Sequence, residues 1–138
     1  MPSRRDPEDV DYRRLLQFRT GIRHFLHWSE EQALAVGVTP GQHQLMLAIR
    51  GHDDPAGPTI GDIAHALVLR HNSAVGLVDR AVDANLVERT VDESDSRVVR
   101  LRLTASGARR IRQLSRAHLE ELRRLAPRIS SLWTDLES

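Results

Sequence analysis

The chain of 138 residues has no cysteine and no lysine, and only five aromatic residues. Without cysteine, disulfide frameworks, thiol catalysis and cysteine-based redox sensing are excluded. All 20 basic residues are arginine, which reads as coding bias more than as design. No stretch approaches the roughly 20 apolar residues that a bilayer crossing needs. The opening segment MPSRRDPEDVDYRR carries charges but no apolar h-region, so it is expected to be a frayed arm on a cytoplasmic protein. A Gly-rich phosphate loop and a Ser-His-Asp constellation with a recognisable elbow are also missing. His52, Asp53 and Asp54 superficially offer metal ligands, with His24, His27 and His43 elsewhere. They sit in a Gly/Pro loop without the helical His-x-x-x-His spacing that places two ligands on one face. Neither catalysis, nor a metal, nor a cofactor is expected.

What is present is 40% apolar and 28% charged, the composition of a soluble globular chain long enough for a single core. The formal net charge of +1 hides a segregation. From Arg97 through Leu119 there are seven arginines (97, 100, 102, 109, 110, 112 and 116) and no acid. Such a run suggests a surface facing a polyanion. The alternative is a solvated arginine-rich helix face.

Apolar residues at three- and four-residue steps, among them Val10, Leu15, Phe18, Ile22 and Phe25, predict one long helix over about 7–36, stopped at Gly37. Thr39 followed by Pro40 starts a second helix with Leu45, Leu47, Ala48 and Ile49 as its apolar contacts, ending at Gly51. Thr59 with Asp62 approximates a capping box for a short third helix whose inner face is Ile63, Ala64 and Leu67. After a brief turn at 68–70, a fourth helix runs over about 71–84. Ala74, Leu77, Val78 and Ala81 point inward, and His71, Asn72, Ser73, Val75, Gly76 and Arg80 are left at its start or on its outer side. Asn85 closes it in the left-handed conformation.

Segments 86–91 and 97–103 read as strands joined by the polar turn DESDS, with Val99, Leu101 and Leu103 on one face and Val98, Arg100 and Arg102 on the other. Thr104 caps a long helix on which Ile111, Leu114, Ala117 or His118, Leu122 and Leu125 keep helical spacing. Pro127 is expected to break or kink it before a last short helix with Ile129, Leu132, Trp133 and Leu136. The expected fold class is mostly α with a small β-hairpin wing: a winged helix-turn-helix core over 37–103, flanked by N- and C-terminal dimerisation helices over 1–36 and 104–138, in one structural domain.

Two helices joined by a tight turn and followed by a hairpin are the parts of a winged helix-turn-helix. The start of the fourth helix would enter a major groove. Asn72 can bond adenine bidentately, Ser73 can bond bases of either strand, Val75 can touch a thymine methyl, and Gly76 permits close approach. Arg80 is better placed for phosphate.

The stretch TIGDIAHALVLRHNSAVGLVDRAVDANLVER, followed by DESDSRVVRLRLTASG, resembles the winged-helix core of MarR-type transcriptional regulators. Its most specific part is Asp-x-Arg with a following Leu-Thr-x-x-Gly, here Asp95, Arg97, Leu103, Thr104 and Gly107. The similarity spans roughly residues 39–125. It implies that Arg97 reaches a minor groove and that Asp95 braces it, with Arg100 among the DNA contacts. Physics agrees, since arginine is favoured in narrow, electronegative minor grooves. Asp92 and Glu93 should then point away from phosphate. Four positions depart from the family pattern. Ala81 stands for a larger Leu, Val82 for a polar residue, Asn85 for Gly, and Arg70 for an N-cap, which leaves the start of the recognition helix open by a residue.

Tyr12, Phe18, Phe25 and Trp28 lie in the first helix and Trp133 in the last, so none lies in the winged core. Base stacking on single strands or RNA is therefore disfavoured. The same distribution suggests that the two ends of the chain meet. The resemblance implies a homodimer with interlocked terminal helices, reading a pseudo-palindromic double-stranded operator as a repressor. It also implies a small, often aromatic or phenolic, effector where the dimer helices meet the winged domain. His24, His27, Trp28 and His43 are the candidates, against the alternatives that Trp28 is core or dimer interface and that the histidines are solvated or capping. The rival to a DNA-binding regulator is a winged-helix protein-interaction adaptor, which should show apolar anchors on the outer face of the fourth helix.

Overall fold

The computed structural model describes residues 5–137, and for Trp133, Asp135, Leu136 and Glu137 the backbone only. Trp133 and Leu136, expected on an inner helix face, therefore lie outside the described side chains. Helix α1 spans Asp9–Ala35, α2 Pro40–Arg50, α3 Ile60–Leu67 and α4 His71–Asp83. Strands β1 (Val87–Val91) and β2 (Val99–Leu103) follow, and α5 (Ala105–Glu137) completes the chain.

The helix starts are built by their side chains. Thr39 Oγ1 accepts from the Gln42 amide at 3.1 Å while Gln42 Oε1 accepts from the Thr39 amide at 2.9 Å. Thr59 and Asp62 make the same reciprocal pair at 3.1 and 3.0 Å, so Asp serves where Glu or Gln is usual. The stops are as local. Gly37 and Asn85 take φ of 80° and 58°, the left-handed conformation that ends a helix. Val68 ends α3 in that conformation too, at φ 55° and 90% exposed, although a β-branched residue is strained there.

All five helices and both strands contribute to the core. Ala33, Leu45, Met46, Ile63, Val78, Ala81, Leu101 and Leu114 are fully buried. Met46 takes the place expected for Leu47, which is 52% exposed, because the inward stripe of α2 runs through residues 45, 46 and 49. Ala81, expected on the inner face of α4, is fully buried. β1 and β2 pair antiparallel from Val87 opposite Leu103 to Val91 opposite Val99. The second strand begins at Val99, two residues later than expected, so Arg97 belongs to the turn. Leu101 points into the core, whereas Val99, out toward the tip, is exposed.

Two expectations for α5 are corrected or refined. The helix does not break at Pro127 but continues through it to Glu137. The lost amide donor and the ring clash cost about 3 kcal/mol in a helix interior, and α5 tolerates them within its 33 residues. At its other end Thr104 Oγ1 accepts from the Gly107 amide at 3.0 Å and donates to the Asn85 carbonyl at 2.7 Å, and the Thr104 amide donates to the Leu86 carbonyl at 3.1 Å. This draws the first turn of α5 onto Leu86 so closely that a Cβ on Gly107 would lie 2.0 Å from the Leu86 carbonyl oxygen. Among the described residues no helix is long and apolar enough to cross a membrane.

Gly107→Ala is expected to destabilise the fold by about 1–3 kcal/mol, the range of overpacked cores. The measurement is the urea midpoint at unchanged m-value; a midpoint equal to the parent's would show that the α5–Leu86 contact yields freely.

Candidate nucleic-acid interface

The tip of the wing, residues 92–98, is closed by backbone bonds from the Asp92 amide to the Val98 carbonyl (2.9 Å) and from the Val98 amide to the Asp95 carbonyl (3.0 Å). Two carboxylates organise it. Asp92 accepts from the Ser94 and Asp95 amides, both at 3.0 Å, and from Arg100 Nε at 3.1 Å. Asp95 accepts from the Arg97 amide at 3.0 Å and, through its two oxygens, from Arg97 Nε and Nη2 at 3.1 Å each. The Arg97 side chain remains 89% exposed, its guanidinium held along the Nε–Nη2 edge. The Arg97 guanidinium, with the Arg97 amide, holds the Asp95 carboxyl below the usual carboxylate range. Arg100 and the Ser94 amide do the same for Asp92. Both acids are thus held charged by bonds within the wing, while Glu93 between them is exposed.

Arg100, expected among the DNA contacts, is bonded within the protein. Its side chain is 21% exposed, and besides Asp92 it donates from Nη1 to the Gly57 carbonyl at 3.1 Å and lies 3.8 Å from Asp54. The sequence pattern missed this because Gly57 is 43 residues away. The acid-free arginine run is likewise not one surface, since Arg110 also turns inward and donates to the Val36 carbonyl at the end of α1.

Helix α4 starts at His71, directly after Arg70, whose side chain caps nothing. The first-turn amides therefore keep the positive end of the helix dipole without a side-chain acceptor. His71, Asn72, Ser73 and Arg80 are exposed, while Val75 and Gly76 are half-buried. A Cβ on Gly76 would lie 3.2 Å from Arg80 Nη1, so the arginine folds back along the helix over the gap that the glycine leaves. Asp79, on the exposed side of α4, pairs with Arg89 of β1 and links α4 to the wing. Nothing in the spacing of Asp79 and Arg89 singled this pair out.

A helix-turn-helix with an uncapped, polar second helix and a braced arginine at the tip of the following hairpin is a winged helix-turn-helix protein. Residues 36–98 match the family model described as MarR family, and over that segment the chain is similar to MarR-type winged helix-turn-helix proteins. The Leu-Thr-x-x-Gly signature at 103–107 lies just beyond the match. An HTH-type transcriptional regulator of Bacillus subtilis, YsmB, is 37% identical over 65 residues. That is 47% of this chain, and the chain spans 44% of the length of this relative. Among solved structures, AbsC, a MarR family transcriptional regulator from Streptomyces coelicolor, superposes with a TM-score of 0.73 at 22% identity, covering 88% of this chain and 81% of AbsC. A variant of MepR from S. aureus, bound to an oligodeoxyribonucleotide, does so with a TM-score of 0.67 at 20% identity, covering 88% and 91%.

The candidate effector residues separate into two sets. His24 and His27 are exposed, and His27 Nε2 lies 2.9 Å from Glu31 one turn along α1. Trp28 and His43 instead meet around His118 of α5, with ring centroids 4.9 and 4.7 Å from it. Phe25 stacks on Trp28 at 5.9 Å and meets His118 edge-on at 6.0 Å. His118 Nδ1 lies 2.7 Å from the Leu114 carbonyl, which can only accept, so this nitrogen carries the proton. In the neutral ring Nε2 then accepts from the Ser29 hydroxyl at 2.6 Å. Helical spacing admitted His118 to the inner face of α5 but did not reveal its partner 89 residues away. A shallow groove of about 410 Å³ between α2 and α3, lined by Leu47, Ala48, His52 and Leu67 among others, includes none of the candidates.

His43 is 8% exposed, and burial, then the neighbouring His118, lowers its pKa below the ordinary 6.5. The unfolded chain therefore binds a proton at His43 at a higher pH than the folded chain does. Stability from this residue is complete above pH 6.5 and is lost as pH falls through the folded-state value. Melting temperatures from pH 7.5 downward should fall more steeply for the parent than for His43→Leu. Parallel curves would remove His43 as the source.

Proposed function

We propose that the chain is a homodimeric, sequence-specific, double-stranded DNA-binding transcriptional regulator, acting as a repressor whose DNA binding a small aromatic ligand modulates. The observation that carries this proposal is Arg97, its guanidinium fixed along one edge by both oxygens of Asp95 yet 89% exposed at the wing tip. A guanidinium ordered in advance loses less entropy on entering a groove than a free one does. His71, Asn72 and Ser73 offer hydrogen bonds to base edges from the start of α4, and the first-turn amides with Arg80 suit phosphate. An adaptor would need apolar anchors on this face, and His71, Asn72, Ser73 and Arg80 occupy it instead. The role is binding, not catalysis.

Support for the homodimer comes from α1 and α5, which expose Leu15, Leu16, Ile22, Leu26, Leu119 and Leu122, an apolar surface that a second copy would cover. Such a dimer would present two recognition helices to half-sites about one helical turn apart. The effector would act at Trp28, His43 and His118, where α1, α2 and α5 meet, by changing the angle between the terminal helices and the winged core. The DNA-bound MepR variant supports DNA as the ligand of this fold.

Fluorescence anisotropy on a duplex that the protein selects from a random-sequence pool, across a salt series, tests the proposal. Selective binding with a steep salt slope is expected, as is a loss of roughly tenfold or more for Arg97→Ala with the slope reduced by about one. Binding no tighter than to random duplex, unaffected by Arg97→Ala, would favour the adaptor.

A further inference from the structure

We propose that Arg100 is a positioning residue, not a DNA contact: it ties the wing tip to the body of the domain and so sets where Arg97 points. The inference rests on the DNA-binding proposal for its purpose, but its geometry stands apart from it. The anchor is the segment at Gly57 and Pro58. The Leu101 amide donates to the Pro58 carbonyl at 2.8 Å, and Gly57, at φ 92°, runs so close to β2 that a Cβ on it would lie 2.4 Å from the Leu101 carbonyl oxygen. The Gly57 carbonyl is therefore a fixed point beside the wing.

Arg100 spans from that point to the tip. Nη1 donates to the Gly57 carbonyl at 3.1 Å, and Nε donates to Asp92 Oδ1 at 3.1 Å. The other oxygen of Asp92 takes the Ser94 and Asp95 amides, and Asp95 in turn grips Arg97. An unbroken line of bonds thus joins Gly57, Arg100, Asp92, Asp95 and Arg97. The planar guanidinium can hold two such partners in fixed directions, which an ammonium on a flexible stem cannot. The Asp92 side chain is only 13% exposed, and with Asp54 nearby the charge of Arg100 is largely answered within the protein. Little remains to attract a phosphate.

The test uses the full chain carrying Arg100→Met, Arg100→Lys, Arg97→Ala, and Arg97→Ala with Arg100→Met. Amide hydrogen exchange reads the wing without DNA. Arg100→Met and Arg100→Lys should both speed exchange at Ser94 and Asp95 relative to the parent, while α4 amides keep their protection. Anisotropy on the selected duplex reads the consequence. Arg100→Met and Arg100→Lys should each weaken binding roughly threefold or more, and the double variant should bind no worse than Arg97→Ala alone, the signature of one residue acting through another. Unchanged exchange at Ser94 and Asp95 would overturn the proposal, whether or not the parent selects DNA. So would losses that add in the double variant together with full affinity in Arg100→Lys, because a phosphate contact survives exchange of one cation for another. If Arg100→Met fails to fold, the lysine variant carries the exchange test alone. A parent that selects no duplex, with faster exchange in the variants, would leave the tie intact and overturn the DNA-binding proposal.

Discussion

The base of the wing is closed at one place, the Leu86 carbonyl, which accepts the Thr104 amide where the hairpin returns. Asn85, left-handed, turns the chain out of α4. One residue later Leu86 enters the core and accepts the Thr104 amide, so the hairpin leaves and returns at the same point. Thr104 then does two things with one hydroxyl, donating to Asn85 and accepting from Gly107, and this starts α5 against the wing. Only glycine fits where the backbones touch. The position of α5, and with it the meeting of α5 with α1, follows from that contact.

Above this base the charges are divided by role. Asp92 and Asp95 sit at the wing tip, Asp92 taking two amides and the Arg100 guanidinium, Asp95 one amide and the Arg97 guanidinium. Free acids at this tip would repel a polyanion. As acceptors they convert loop backbone into a fixed support, with their charge answered locally. Arginine divides likewise. Arg97 keeps its far end in solvent, whereas Arg100 and Arg110 spend their donors on the carbonyls of Gly57 and Val36. A count of positive charge along the chain overstates what any polyanion would meet.

Much of the fold was legible because it is local. Thr39 and Thr59 announced their helices by pairing with residues three positions on, and Gly37 and Asn85 their stops by tolerating positive φ. The inward set of α4 followed from the 3.6-residue period alone, and Ala74, Leu77, Val78 and Ala81 are all buried. Periodicity failed where two faces compete. In α2 the choice between Met46 and Leu47 depends on what α2 packs against, and no spacing rule decides it. Pro127 is the opposite case: a local rule predicts a break or kink there, and the helix runs on through it to Glu137.

The sequence by itself determined the order of elements, the caps, the hairpin and the Asp-x-Arg turn, because each depends on residues within a few positions of one another. Only the tertiary structure decided which arginine of the wing is open and which is tied down, and which histidines meet. Arg100 finds Gly57 43 residues away, Arg110 finds Val36 at 74, and Ser29 meets His118 at 89. Such partners are chosen by how α1, α2 and the wing pack around one core, and no local pattern along the chain encodes their distance.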